Sequence, residues 1–150
     1  MEDTLRTTIA LLAAVCLLIA PSVTAVAGDE ADPVTVELKD GETLTLKTLE
    51  VGSEQSGLLG TTFNVLDRLP VKVGELTLRV PIRNLARIEF LAVEDEGRTL
   101  RLKLTDREGE ELEGVVEHKP ALVWRGRHRF ADAEAVIDSD KIKLIVLRKN

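Results

Sequence analysis

A chain of 150 residues with 26 acidic and 20 basic side chains, net charge −6, has the length of one domain or two very small ones. Leu, Val and Ile dominate its apolar residues, while three Phe, one Trp and no Tyr leave few platforms on which bases or sugars could stack. Net acidity also removes the counterion release that draws proteins onto nucleic acid, so a nucleic-acid partner is not expected.

The first 27 residues read as an address. Ile9 to Ala20, "IALLAAVCLLIA", carries no charge but falls short of the roughly 20 residues that span a bilayer. Pro21 breaks the run, and Ala25 and Ala27 stand in the small-x-small arrangement of a signal peptidase site. The expectation is a signal peptide over residues 1–27, a polar linker over 28–33, and export to the periplasm or the extracellular space. Glu2 and Asp3 weaken the positive start that such signals carry, so an uncleaved N-terminal anchor is the alternative. No membrane span is expected in the mature chain. Cys16, the sole cysteine, lies inside the apolar run, so cleavage leaves no disulfide, thiol nucleophile or Cys-ligated zinc.

From residue 34 the apolar period is two, which predicts an all-β chain with at least eight strands over 34–147 and no helix longer than two turns. "VTVELKDGETLTLK" places Val34, Val36 and Leu38 on one face and Leu44 and Leu46 on the returning strand. Keeping both rows on one face demands an odd loop, with Leu38 opposite Leu44. "VGSEQSGLLGTT", with Gly52, Gly57 and Gly60, is expected to be a soft, solvated connection. In "LPVKVGELTLRV" a type II′ turn at Gly74-Glu75 pairs Val73 with Leu76, Val71 with Leu78 and Leu69 with Val80. The acidic stretch 94–97 separates a first β unit, 34–93, from a second, 98–150. In the second, Leu104 pairs with Leu112 across Arg107-Glu108-Gly109, a three-residue loop with glycine at its left-handed position. "HKP" turns the chain into "ALVWRGRHRF", and "DAEAVIDSD" is the only stretch with helical character, for about a turn.

A faint internal repeat runs through this order. "VELKDGETL" answers "LKLTDREGEEL", and "VPIRNLARIEFL" answers "IDSDKIKLIVL", with Leu85 and Ile88 matched by Ile142 and Ile145. A strand ending in "LKDG", later strands, and a short turn before a last strand resembles the small five-stranded barrels of the Sm-like and SH3-like kind. The resemblance covers roughly residues 34 to 91, with a looser echo from 99 to 147. It implies a barrel-like shape built as two strand-rich units that share or abut a core. It also implies nucleic-acid contacts at Asn64 and at Arg83-Asn84, where the glycine that Sm-like proteins place after the arginine is missing.

No catalytic constellation is present: the chain lacks G-x-S-x-G, a P-loop, H-E-x-x-H and an EF-hand loop. His118 belongs to a turn and His128 to the inner face of a strand, so neither is expected to bind metal, and no cofactor is expected. The expected function is a non-catalytic exported interaction or envelope-associated module, whose partner is a protein or another envelope component. The one stretch that resembles a ligand site is "WRGRHRF", with Arg125, Arg127 and Arg129 at alternate positions. Pairing "EELEGVVEH" with it would set Val116 opposite Trp124, Glu113 opposite Arg127 and Glu111 opposite Arg129. Lys103 and Arg101 would join from the next strand, and Trp124, His128 and Phe130 would turn inward. On that register the arginines are a cross-strand charge ladder. Because five basic residues would face two glutamates, the alternative is an anion site for an acidic glycan, a lipid head group or a phosphate polymer.

Overall fold

The computed structural model describes residues 33–147; the expected signal peptide and cleavage point lie outside the described residues. Alternating, β-branched-rich segments form eleven strands: β1 (Val34–Leu38), β2 (Thr43–Gly57), β3 (Gly60–Val65), β4 (Arg68–Val73), β5 (Leu76–Pro81), β6 (Leu85–Glu94), β7 (Thr99–Asp106), β8 (Glu111–Glu117), β9 (Val123–His128), β10 (Glu134–Asp138) and β11 (Ile142–Val146). Helical structure among the described residues is limited to single 3-10 turns at Ile82–Asn84, Asp95–Gly97 and Ser139–Lys141. The all-β class expected from the period-two pattern is therefore observed. None of these helices is long and apolar enough to cross a membrane.

All strands belong to one antiparallel sheet in the order β10-β9-β2-β1-β11-β6-β7-β8-β4-β5, with β3 attached to β2 alone. The order interleaves the two parts of the chain. β1 pairs with β11, β2 with β9, and β8 with β4. Between them β6 joins β11 to β7. A single hydrophobic core follows from this threading, with Val36, Leu46, Leu69 and Ile88 beside Leu102, Val116, Trp124 and Ile145, all fully shielded from water. Burying such side chains is the main favourable term, about 1.5–3 kcal/mol each.

Several sequence-derived registers hold. Val73 faces Leu76, Val71 faces Leu78 and Leu69 faces Val80. Only Gly74 of that turn has a positive φ, +62°, as a type II′ turn requires. Leu104 faces Leu112 across the loop closed by Gly109 at φ +87°. The first hairpin keeps the odd loop but is two residues tighter than expected. Leu38 donates its N–H to Glu42 O at 2.8 Å, so Leu44 faces Val36 rather than Leu38. The cause is local: Gly41 at φ +94° closes the three-residue loop 39–41, and Asp40 Oδ1 accepts the Glu42 N–H.

Two expectations are corrected outright. "DAEAVIDSD" is strand β10 followed by a 3-10 turn, because Ala135 and Ile137 pair with Gly126 and Trp124 and alternate with exposed residues. "VGSEQSGLLGTT" is no soft connection but a continuous β-hairpin, paired from Gly52–Val65 to Gly57–Gly60 around a Leu58-Leu59 turn. Gly52 permits this, since a Cβ there would collide with the Asn64 carbonyl.

Candidate functional site

The arginine row sits on β9, a strand held between β2 and β10. Arg125 faces Glu50 on one side and Val136 on the other; Arg127 faces Thr48 and Glu134. This corrects the expected pairing of "EELEGVVEH" with "WRGRHRF". β8 pairs with β7 and β4, so Glu113 and Glu111 do not answer Arg127 and Arg129. The segment 118–122 carries the chain away from β8, and β9 takes β2, from the other part of the sequence, as its neighbour.

The charge pairing survives with different partners. Arg125 Nη2 lies 3.1 Å from Glu50 Oε2 and its Nε 3.5 Å from Glu134 Oε1. Its guanidinium carbon stands 4.0 Å from the centre of the Phe63 ring, reaching from β9 to β3. Each such half-exposed ion pair contributes about 0.2–1 kcal/mol. Around these groups lies a shallow cleft of about 400 Å3, lined by Thr48, Glu50, Arg125, Gly126, Arg127, Asp132 and Glu134. Asp132 forms a 2.6 Å ion pair with Lys47. The hydrogen bond and charge of Lys47, with a smaller contribution from Arg127, hold its carboxyl below the usual carboxylate range. Two arginines thus share the cleft with three carboxylates.

The remaining residues of the expected anion site are placed elsewhere. Arg129 follows the end of β9 in an exposed turn, where Ala131 and Asp132 take φ of +53° and +50°. Phe130 was expected inside but is 77% exposed. The alternation stops at His128, whose N–H bonds to Ala133 O while its Nδ1 accepts the Phe130 N–H. His128 itself is half-buried. Lys103 and Arg101 lie on β7, beside Glu89 and Glu113 and beside Ala92 and Val115 respectively, and Lys103 pairs with Glu111 at 3.2 Å. In the order of the sheet, β2, β1, β11 and β6 stand between β9 and β7.

These neighbours predict a weak response to polyanions. Changing Arg125, Arg127 and Arg129 together to Gln is expected to lower retention on heparin no more than changing Arg68, Lys72 and Arg79 together. Salt-gradient elution of the two variants checks this; a selectively larger loss at β9 would restore a dedicated anion site.

Of the positions suggested by the barrel resemblance, Asn64 lies exposed on β3, whereas Arg83 and Asn84 form part of a 3-10 turn. The carbonyls of that turn are engaged by Arg107: its Nη2 bonds to Arg83 O at 2.6 Å and its N–H to Asn84 O at 3.2 Å. Among the described residues no group of three or more His, Cys, Asp or Glu side chains could hold a metal ion.

The most exposed apolar feature lies at the end of the β2–β3 hairpin. β2 leaves its partner β9 at Gly52–Val123, and from Ser53 onward it pairs with β3 alone. Five further residues at about 3.3 Å each carry the hairpin some 17 Å along the strand direction. At its tip Leu58 and Leu59 are completely exposed, at 107% and 105%. The sequence signal for this arm is the run Gln55 to Leu66, twelve residues without a charge in a chain that is 31% charged. No family model, curated protein or solved structure matches this chain.

Proposed function

We propose that this chain is an exported, non-catalytic interaction module that meets its partner, a protein or another envelope component, through the β2–β3 arm. The observation that carries the proposal is the pair Leu58-Leu59, held entirely in water at the tip of an ordered hairpin that has no charge from Gln55 to Leu66. Two adjacent leucines with no contact of their own contribute nothing to folding, and covering them on a partner is favourable by about 25 cal/mol per Å2 of apolar surface. The apolar run at 9–20 and the Ala25-x-Ala27 pattern support export.

The scaffold behind the arm is, on this proposal, a duplicated five-stranded barrel-like unit whose two copies exchange their first hairpins. One copy has the strand order β11-β1-β2-β9-β10 and the other β6-β7-β8-β4-β5. Each has a 3-10 turn leading into an equivalent strand, at 139–141 before β11 and at 82–84 before β6. The hydrogen bonds that tie the exchanged loops correspond as well: Lys39 N–H to Lys141 O, and Arg107 N–H to Asn84 O. Such an exchange binds the two copies through backbone pairing and gives the arm a rigid base.

The test is the double substitution Leu58→Ser and Leu59→Ser in the exported protein. Far-UV circular dichroism and the thermal midpoint should be unchanged, while co-fractionation with envelope material should fall about tenfold or more. Unchanged co-fractionation would remove the arm from contact with the envelope.

A further inference from the structure

We propose that the partner surface for the arm is a second copy of this chain, joined edge to edge through β3 about a two-fold axis at Thr62. The inference rests on the arm being the interaction surface and names what it meets. Among the described residues three strands expose a free edge along their length: β3, β5 and β10 each pair on one side only. Free edges are templates for further strands, and proteins usually blunt them with charge or proline. β5 carries Arg79 and Pro81, and β10 carries Glu134 and Asp138. β3, Gly60–Val65, "GTTFNV", carries neither charge nor proline.

Self-pairing also requires that the edge match its own reverse. In an antiparallel ladder, hydrogen-bonded and non-hydrogen-bonded pairs alternate, so a two-fold axis must pass through a residue facing itself. An axis at Thr62 sets Thr62 opposite Thr62 of the second copy, a favourable cross-strand pair. The same register sets Thr61 opposite Phe63, Gly60 opposite Asn64, and Leu59 opposite Val65. Leu59 is 105% exposed and Val65 is 49% exposed in the single chain, so each copy covers the other's bare apolar residue at both ends of the ladder. No like charges meet anywhere along this register, as the edge from Gln55 to Leu66 has none. The partner's chemistry is therefore that of an uncharged strand with an apolar residue at each end, which β3 itself supplies.

Sedimentation equilibrium across a hundredfold range of concentration tests the proposal. The wild-type protein should show a monomer–dimer equilibrium, and amide exchange in peptides covering 60–66 should slow as the dimer fills. Thr62→Lys places two ammonium groups directly opposite each other and should weaken the dimer about tenfold or more, while Thr62→Val should retain it. Circular dichroism of each variant confirms that the sheet is intact. Should Thr62→Lys disturb the fold, Thr62→Glu sets two carboxylates on the same axis and gives the same reading. A wild-type protein that remains monomeric throughout, or a dimer indifferent to charge at Thr62, would overturn the proposal. If the dimer is absent but Leu58→Ser/Leu59→Ser still abolishes co-fractionation with the envelope, the arm's partner is another molecule and only the self-pairing fails. If neither measurement responds, the arm itself is not the interaction surface.

Discussion

Replacing Trp124 by Ala is expected to destabilise the protein by about 3–5 kcal/mol, the range for large core aromatics. The indole is completely buried and meets Phe90 of β6 edge-on, with ring centres 5.7 Å apart and planes at 77°. Its Nε1–H donates to Ser139 Oγ at 2.9 Å, and that hydroxyl donates to Leu122 O at 2.7 Å. One side chain thereby joins β9, the segment before it, the 3-10 turn ahead of β11, and β6. Removing it leaves a cavity where these elements converge. Ser139→Ala should cost less, about 1–3 kcal/mol, because the indole N–H loses its acceptor in a buried place while the packing remains. Urea unfolding followed by far-UV circular dichroism checks both. A cost below 1 kcal/mol for Trp124→Ala would mean that the core is not joined at this point.

The second large effect is expected at Gly126. It lies midway along β9, facing Leu49 of β2 and Ala135 of β10. A Cβ placed there would stand 2.5 Å from the carbonyl oxygen of Thr48 and 2.7 Å from Leu46 Cδ1. The nearest atom is backbone, so it cannot swing aside, and the β2–β9 ladder would have to part locally. Gly126→Ala should therefore cost about 1–3 kcal/mol, the penalty for overpacking a close-packed interior. A substitution to Ala elsewhere on an exposed strand face changes stability by only a few tenths of that. Thermal and urea unfolding of Gly126→Ala beside Thr77→Ala, exposed on β5, would show the difference; equal stability would mean that β9 rests further from β2 than the structure places it.

Much of the fold was legible because it is local. Gly74-Glu75 and Arg107–Gly109 name their turn types, and once the turn is known the registers of Val71–Leu78 and Leu104–Leu112 follow from alternation. The burial of Trp124 followed from alternation in the same way. What local patterns do not carry is the choice among distant partners. β8 and β9 are neighbours in sequence and complementary in charge, yet β8 joins β4 and β9 joins β2. Consecutive strands pair in roughly two cases of three, and here the chain follows the other course. Glu50 and Glu134 answer Arg125 as well as Glu113 would have answered Arg127, so charge complementarity does not separate the two arrangements. The hairpin at 52–65 was missed for a different reason. Its glycines resemble those of a flexible loop, whereas Gly52 is needed for a close crossing and Gly57 and Gly60 flank the turn. The absence of charge from Gln55 to Leu66 was the available sign that this stretch is an ordered, apolar-tipped hairpin rather than a solvated loop.

The most direct test of the self-pairing arm is a disulfide across its axis. Thr62→Cys would place two thiols on directly opposed residues of the two copies, within the Cα separation of about 4.4–6.8 Å that a disulfide accepts. Mild oxidation should then yield a covalent species of twice the monomer mass, at concentrations where Thr77→Cys, on the charged and proline-bearing edge of β5, and the wild-type protein remain single chains. Failure of Thr62→Cys to cross-link, or equal cross-linking of Thr77→Cys, would contradict the account.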